Sequence, residues 1–158
     1  MAKFTATTVS ALQKEIMRRA KKAMKNEVAD YVEDKLKQHV QKDVYSTYSP
    51  KEYDRRENYG GLVDDKNIRS EYRDRDRTLY VYEEAPIEGP RLDASNWVNK
   101  PDSLAQLIEA GAHNPWNYRN YRWTKPRTFM GNAQDDINYR YADIVRMIKN
   151  RVEHDNKE

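Results

Sequence analysis

The sequence contains no cysteine. That excludes a disulfide framework, a thiolate metal site and a cysteine nucleophile together. No stretch is apolar enough to approach a membrane span, and the first residues, MAKFTATTVSALQKE, lack the apolar run of a signal peptide. The chain is therefore expected to be made in, and to stay in, a cytoplasm-like compartment. Glycine is scarce at five residues, and none of it forms a phosphate-binding loop, a nucleophile elbow or part of a zinc motif. Phenylalanine is rarer still, with two copies against twelve tyrosines. A tyrosine ring is apolar while its hydroxyl seeks water or a partner, so this bias suits half-buried surfaces. Aromatic residues and arginine are also the types enriched where proteins meet.

At 158 residues the length fits one domain, and we take 1–158 as one unit. The net charge of +3 is too small to impose a nucleic-acid reading, but its distribution is uneven. Residues 1–44 carry ten basic and six acidic side chains, 45–93 nine and twelve, 94–130 five and two, and 131–158 five and six. Blocks of alternating sign suit head-to-tail stacking of identical chains at least as well as they suit a polyanion. A self-associating or complex-forming protein is the expectation.

The pattern predicts an α+β fold. From 8 to 44 there is neither Pro nor Gly, and helix formers dominate. Leu12, Ile16, Ala20, Met24, Val28, Val32, Leu36, Val40 and Val44 recur at steps of four. Each such step turns an α-helix by about 400°, so the stripe drifts about 40° per step. One flat partner cannot cover it. Either the helix breaks, with Asn26 the natural place, or its halves face different partners. About 36 residues also span roughly 54 Å, more than the about 40 Å diameter of such a domain. One half is expected to pack on the domain and the other on a neighbouring chain.

Residues 45–130 are read as a small antiparallel sheet, a short helix and an aromatic loop. Ser-Pro, Gly-Gly and Asp/Asn clusters at 45–67 mark turns. Alternation of Ile68, Ser70 and Tyr72, then of Leu79 and Val81, predicts a charged β-hairpin with Asp74-Arg75-Asp76 at its turn and one covered face. Asp102 or Ser103 caps a short helix, SLAQLIEAG, that Gly111 ends. RWTKPRTFM could lie extended at a sheet edge. A last helix over 131–153, opening at Asn132, carries Ile137, Tyr141, Ile144, Ile148 and Val152 as one stripe.

Nothing here predicts an enzyme, a metal or a cofactor. His39, His113 and His154 share no spacing and are expected at the surface. Asp74 and Asp76 have arginine neighbours and no third oxygen ligand at loop spacing, which fits a solvated turn. Pro101-Asp102 lacks the acidic-x-Lys that a nuclease would need. The most distinctive stretch is WNYRNYRWTKPR, 116–127. Trp116, Tyr118, Tyr121 and Trp123 interleave with Arg119, Arg122, Lys125 and Arg127. Rings and cations so arranged can stack bases and track phosphate, grip another subunit, or pack as an ordinary loop. Glu109 is expected to pair with one of these arginines.

The order of pieces resembles the tail-completion, or head–tail joining, neck proteins of tailed bacteriophages. Tyr48, Pro50, Tyr53, Arg55, Arg56, Gly60, Gly61 and Leu62 carry the first shared motif. Leu104, Ala105, Ile108, Glu109 and Gly111 carry the second, and Pro126, Arg127 and Phe129 the third. Thr128 stands where proline is usual, and the loop before Pro126 is long and aromatic. The resemblance spans 8–150. It implies a virion structural protein assembling into a ring of six copies in the neck, built in the host cytoplasm. Its partners would be the head connector or stopper and the tail tube or tail terminator. Genomic DNA would pass through the lumen, where the basic loop could face it. A minor capsid or tail-terminator component, or a small single-stranded nucleic-acid-binding protein, is the alternative. In the ring reading, Tyr48, Tyr53, Arg55, Arg56, Trp116, Tyr118, Arg119, Tyr121, Arg122, Trp123 and Arg127 are the candidate interface.

Overall fold

A computed structural model describes residues 8–47, 49, 56–87, 103–111 and 126–154. The Thr8 hydroxyl accepts from the Ala11 N–H at 3.1 Å and starts a helix that continues to Tyr45. It comprises α1 (Val9–Ala23), a π-helical segment (Met24–Val28), α2 (Ala29–His39) and a second π-helical segment (Val40–Tyr45). The helix does not break at Asn26. The first π segment is centred there instead, and it resolves the drifting stripe. Each extra residue in a π turn sets the helix phase back by about 100°. Two such turns therefore return about 200° of the roughly 320° that eight four-residue steps would accumulate. Across the first segment the buried positions step by five, from Ala23 to Val28, rather than by four.

The two halves do face different partners. Two further helices, α4 (Phe129–Tyr139) and α5 (Tyr141–Glu153), run antiparallel to the long one: Asn132 meets Asp43, Asp136 meets Lys35, Arg151 meets Glu27, and Val152 meets Arg19. Thus α2 packs on α4, and α1 on α5. The expected single last helix starts three residues before Asn132 and is interrupted at Arg140, whose φ/ψ of −101/25 falls outside the helical region. Ile137, Ile144, Ile148 and Val152 are half-buried on its inner side, but Tyr141 is 67% exposed. The interruption shifts it out of the stripe.

The hairpin forms as expected: β1 (Ile68–Arg73) pairs antiparallel with β2 (Thr78–Glu83), in a register running from Ile68 opposite Glu83 to Arg73 opposite Thr78. Ile68, Tyr72, Leu79 and Val81 lie on the covered face. Residues 74–77 turn the chain, with Arg77 in the left-handed region at φ 56°. The Ala85 carbonyl then accepts from the Leu104 N–H at 2.8 Å, docking α3 (Leu104–Ala110) at the hairpin exit. Ser103 is the cap of α3, its hydroxyl accepting from Gln106 N–H at 3.3 Å.

The core lies where these pieces converge. Leu36, Val40 and Val44 from the long helix meet Leu62, Ile68, Ala85, three α3 residues (Leu104, Leu107, Ile108), and Phe129 and Ala133 of α4. Phe129, Leu62 and Val40 are essentially inaccessible to water. All of this sits at the C-terminal end of the long helix; α1 contributes nothing to it. Among the described residues, no helix is long and apolar enough to cross a membrane.

Candidate interaction surfaces

Of the candidate interface residues, Tyr48, Tyr53, Arg55, Trp116, Tyr118, Arg119, Tyr121, Arg122 and Trp123 lie outside the described residues, as do His113 and Lys125. Arg56 and Arg127 are described, and both are tied into their own chain. Arg56 donates from Nη2 to the Pro86 carbonyl at 2.9 Å, strapping the segment before Gly60 to the exit of β2. The Arg127 main-chain N–H donates to the Ile108 carbonyl at 3.0 Å. The two residues bracketing 112–125 touch: a Cβ built on Gly111, at φ +76°, would lie 3.0 Å from the Pro126 nitrogen.

The shared motifs have local jobs. A Cβ on Gly61 would fall 2.3 Å from the Glu57 carbonyl oxygen, so only glycine fits there. Asp64 fixes the same turn, accepting from the Gly60 N–H at 2.6 Å and the Lys66 N–H at 3.0 Å. Those backbone donors hold its carboxyl below the usual range. Glu109, expected to pair with an arginine of 116–127, most of which lies outside the described residues, is seen at the start of α4. Its two oxygens accept from the Met130 and Gly131 N–H groups at 3.0 and 3.1 Å. That satisfies orphan donors in the first turn of α4, where Thr128 makes no side-chain cap. The tail of α3 thus caps another helix, a contact no local pattern announces.

His39 is buried rather than at the surface, and it belongs to a polar seam between α2 and α4. Its Nδ1 lies 2.8 Å from Asp43 Oδ2, which also accepts from Asn132 Nδ2 at 3.0 Å. Its Nε2 lies 3.9 Å from Asp136 Oδ2. Lys35, at 2.9 Å, and Arg140, at 2.9 Å, complete the Asp136 shell and hold that carboxyl down at about 2. The seam joins two helices. Among the described residues, no group of His, Asp and Glu is arranged to hold a metal. An open depression is lined by Asp34, Lys37, Gln38, Gln41 and Lys42 on the outside of α2 and the π segment that follows it.

What α1 leaves uncovered is more telling. Val9, Leu12, Ile16 and Met17 are 73, 43, 40 and 43% exposed. Leu12 and Ile16 head the apolar stripe that is buried further along. Arg19 accounts for the difference: its Nη1 donates to the Val152 carbonyl at 2.8 Å, at the last turn of α5. The stripe continues along α1 for about two turns beyond that point. On α5, Tyr141 and Val145, one turn apart, are also exposed.

The chain belongs to the YomN family, a phage-derived protein family, whose sequence profile matches residues 8–153. No curated protein and no solved structure matches it significantly.

Proposed function

We propose that this YomN-family chain is a structural protein of a tailed-phage virion that works by assembly rather than catalysis. It forms a ring of six copies in the neck, joining the head connector to the tail tube or tail terminator, and is assembled in the host cytoplasm. The observation that carries this reading is the uncovered end of α1. Leu12 and Ile16 continue a core stripe yet remain 43 and 40% exposed. Exposing them to water gives up burial that a neighbouring copy would supply, at about 25 cal/mol per Å². Family membership, the three neck-protein motifs and the tyrosine- and arginine-rich composition support the same conclusion.

The test is immunogold electron microscopy of phage particles carrying an epitope-tagged chain. Gold at the head–tail junction is expected. Particles that contain the chain elsewhere, or lack it, refute the reading. Light scattering on the purified protein is its companion: a species several times 18.8 kDa is expected, and Ile16→Asp should return it to monomer.

A further inference from the structure

We propose that the outer face of α1 and the tip of the β-hairpin form one surface for the phosphate backbone of duplex nucleic acid. The surface is built without any of residues 116–127, and the proposal does not depend on the ring. Between residues 14 and 25 there are six cations and one carboxylate. That carboxylate, Glu15, is claimed by Arg18 and Arg19, each at 2.7 Å. Lys21 crosses to the hairpin, its Nζ 2.6 Å from Asp74 Oδ1 and 5.8 Å from the centre of the Tyr72 ring. This pair fixes the hairpin tip beside α1, although 53 residues separate the two in sequence.

Both carboxylates of the tip are thereby engaged. Asp74 faces Lys21, and Asp76 closes the turn, accepting from the Thr78 N–H at 3.2 Å and the Tyr80 hydroxyl at 3.1 Å. Arg75 and Arg77 remain exposed without an acidic partner among the described residues. Lys14 and Lys25 are likewise exposed and Lys22 half-buried, none with an acidic partner among the described residues. Elsewhere carboxylates answer many of the cations: Lys35 and Arg140 meet Asp136, Lys37 meets Asp65, Arg146 meets Asp143, and Arg151 meets Glu27. Unanswered positive charge gathers here.

The chemistry favours a uniformly charged polymer over an acidic protein. Lys14, Lys22 and Lys25 present ammonium groups along one helix. The nearby rings of the hairpin already carry cations, Tyr72 that of Lys21 at 5.8 Å and Tyr80 that of Arg73 at 4.2 Å, rather than standing free as protein hot spots. From Lys14 to Lys25 the helix runs about 16 Å, close to half a turn of duplex. Contacts of this kind are to phosphate and read no sequence.

The experiment is fluorescence anisotropy of a labelled 20-base-pair duplex of random sequence with the full chain, between 50 and 200 mM NaCl. Micromolar binding at the lowest salt is expected, with a log–log salt slope near −4 for four to five neutralised phosphates. The combined variant K22E/K25E/R75E/R77E should bind at least tenfold more weakly with a shallower slope. K42E/K66E, a charge change elsewhere, should weaken binding far less, and circular dichroism checks that each variant is folded. The proposal is overturned if the duplex does not bind at 50 mM salt. It is equally overturned if R119E/R122E or K42E/K66E costs as much as the combined variant, or if poly-glutamate competes as well as unlabelled duplex at equal charge. Light scattering on the same samples keeps the readings apart. A monomer that binds duplex refutes the ring alone, whereas an assembly that ignores duplex refutes this surface alone.

Discussion

Replacing Glu83 by Gln should change how stability depends on pH, by an amount the structure sets. Glu83 ends β2 opposite Ile68 and is 5% exposed. Burial pushes its carboxyl from 4.5 up to about 7, against the pull of the Ala85 and Ala105 N–H groups and the charge of Arg56. In the unfolded chain the proton leaves near 4.5; in the folded chain it stays on to about 7. Below 4.5 both states hold the proton, and the carboxyl's contribution to stability is fully present. As pH rises through this window the unfolded chain releases a proton that the folded one retains, so folding weakens, and the loss is complete above 7. The span corresponds to about 3 kcal/mol. Glutamine carries no such proton. Whatever Glu83→Gln costs through the 2.8 Å hydrogen bond from the Ala85 N–H, that cost does not vary with pH. The stability difference between variant and parent should therefore move by about 3 kcal/mol in the variant's favour between pH 4 and pH 8. Urea unfolding followed by circular dichroism across that range measures it. A difference that stays constant within the error of the extrapolation refutes the reasoning.

Phe129→Ala removes a ring that is wholly inaccessible at the junction of α3, α4 and the long helix; urea denaturation should show a loss of about 3–5 kcal/mol. Gly61→Ala would press a methyl group against the Glu57 carbonyl and should lower the melting temperature clearly. Gly60→Ala meets no neighbouring atom but sits at φ +84°, and should cost about 1 kcal/mol from backbone strain alone. Glu109→Ala uncaps α4 and should destabilise by about 1 kcal/mol, with amide exchange rising first at Met130 and Gly131. Glu15 and Asp136 are each held near 2, by Arg18 and by Lys35 respectively. Their stabilisation is present above the ordinary carboxylate range and is lost as pH falls towards 2, so stability should fall below about pH 4. Asp136→Asn should be less stable than the parent at about pH 7 and lose less on acidification, as urea unfolding at the two pH values would read.

The elements were legible because their signals are local. Residues 68–83 alternate with period two around polar turn residues, and Ser103 and Gly111 bracket seven helical positions. The step-of-four stripe revealed that a plain α-helix could not serve one partner. It could not reveal that π turns would take up the drift, since that choice depends on what α4, α5 and the hairpin offer at each level. Leu12 and Ile16 stood on the stripe in the sequence, but periodicity reports the side of a helix and not where its cover stops. His39 was misplaced, and the capping contact of Glu109 went unseen, for a related reason: each is defined by a partner more than twenty residues away or across a helix pair.

Composition and pattern alone determined the α+β class, the order of helix, hairpin, short helix and last helix, and the exclusion of thiol chemistry. These depend on residue type and near-neighbour spacing, which a linear chain already contains. The tertiary structure decided where α5 stops along α1, which carboxylates neutralise which cations, and that Lys21 and Asp74 bring two basic segments to one face. Such outcomes depend on distances through space, and a chain acquires those only once its helices have packed.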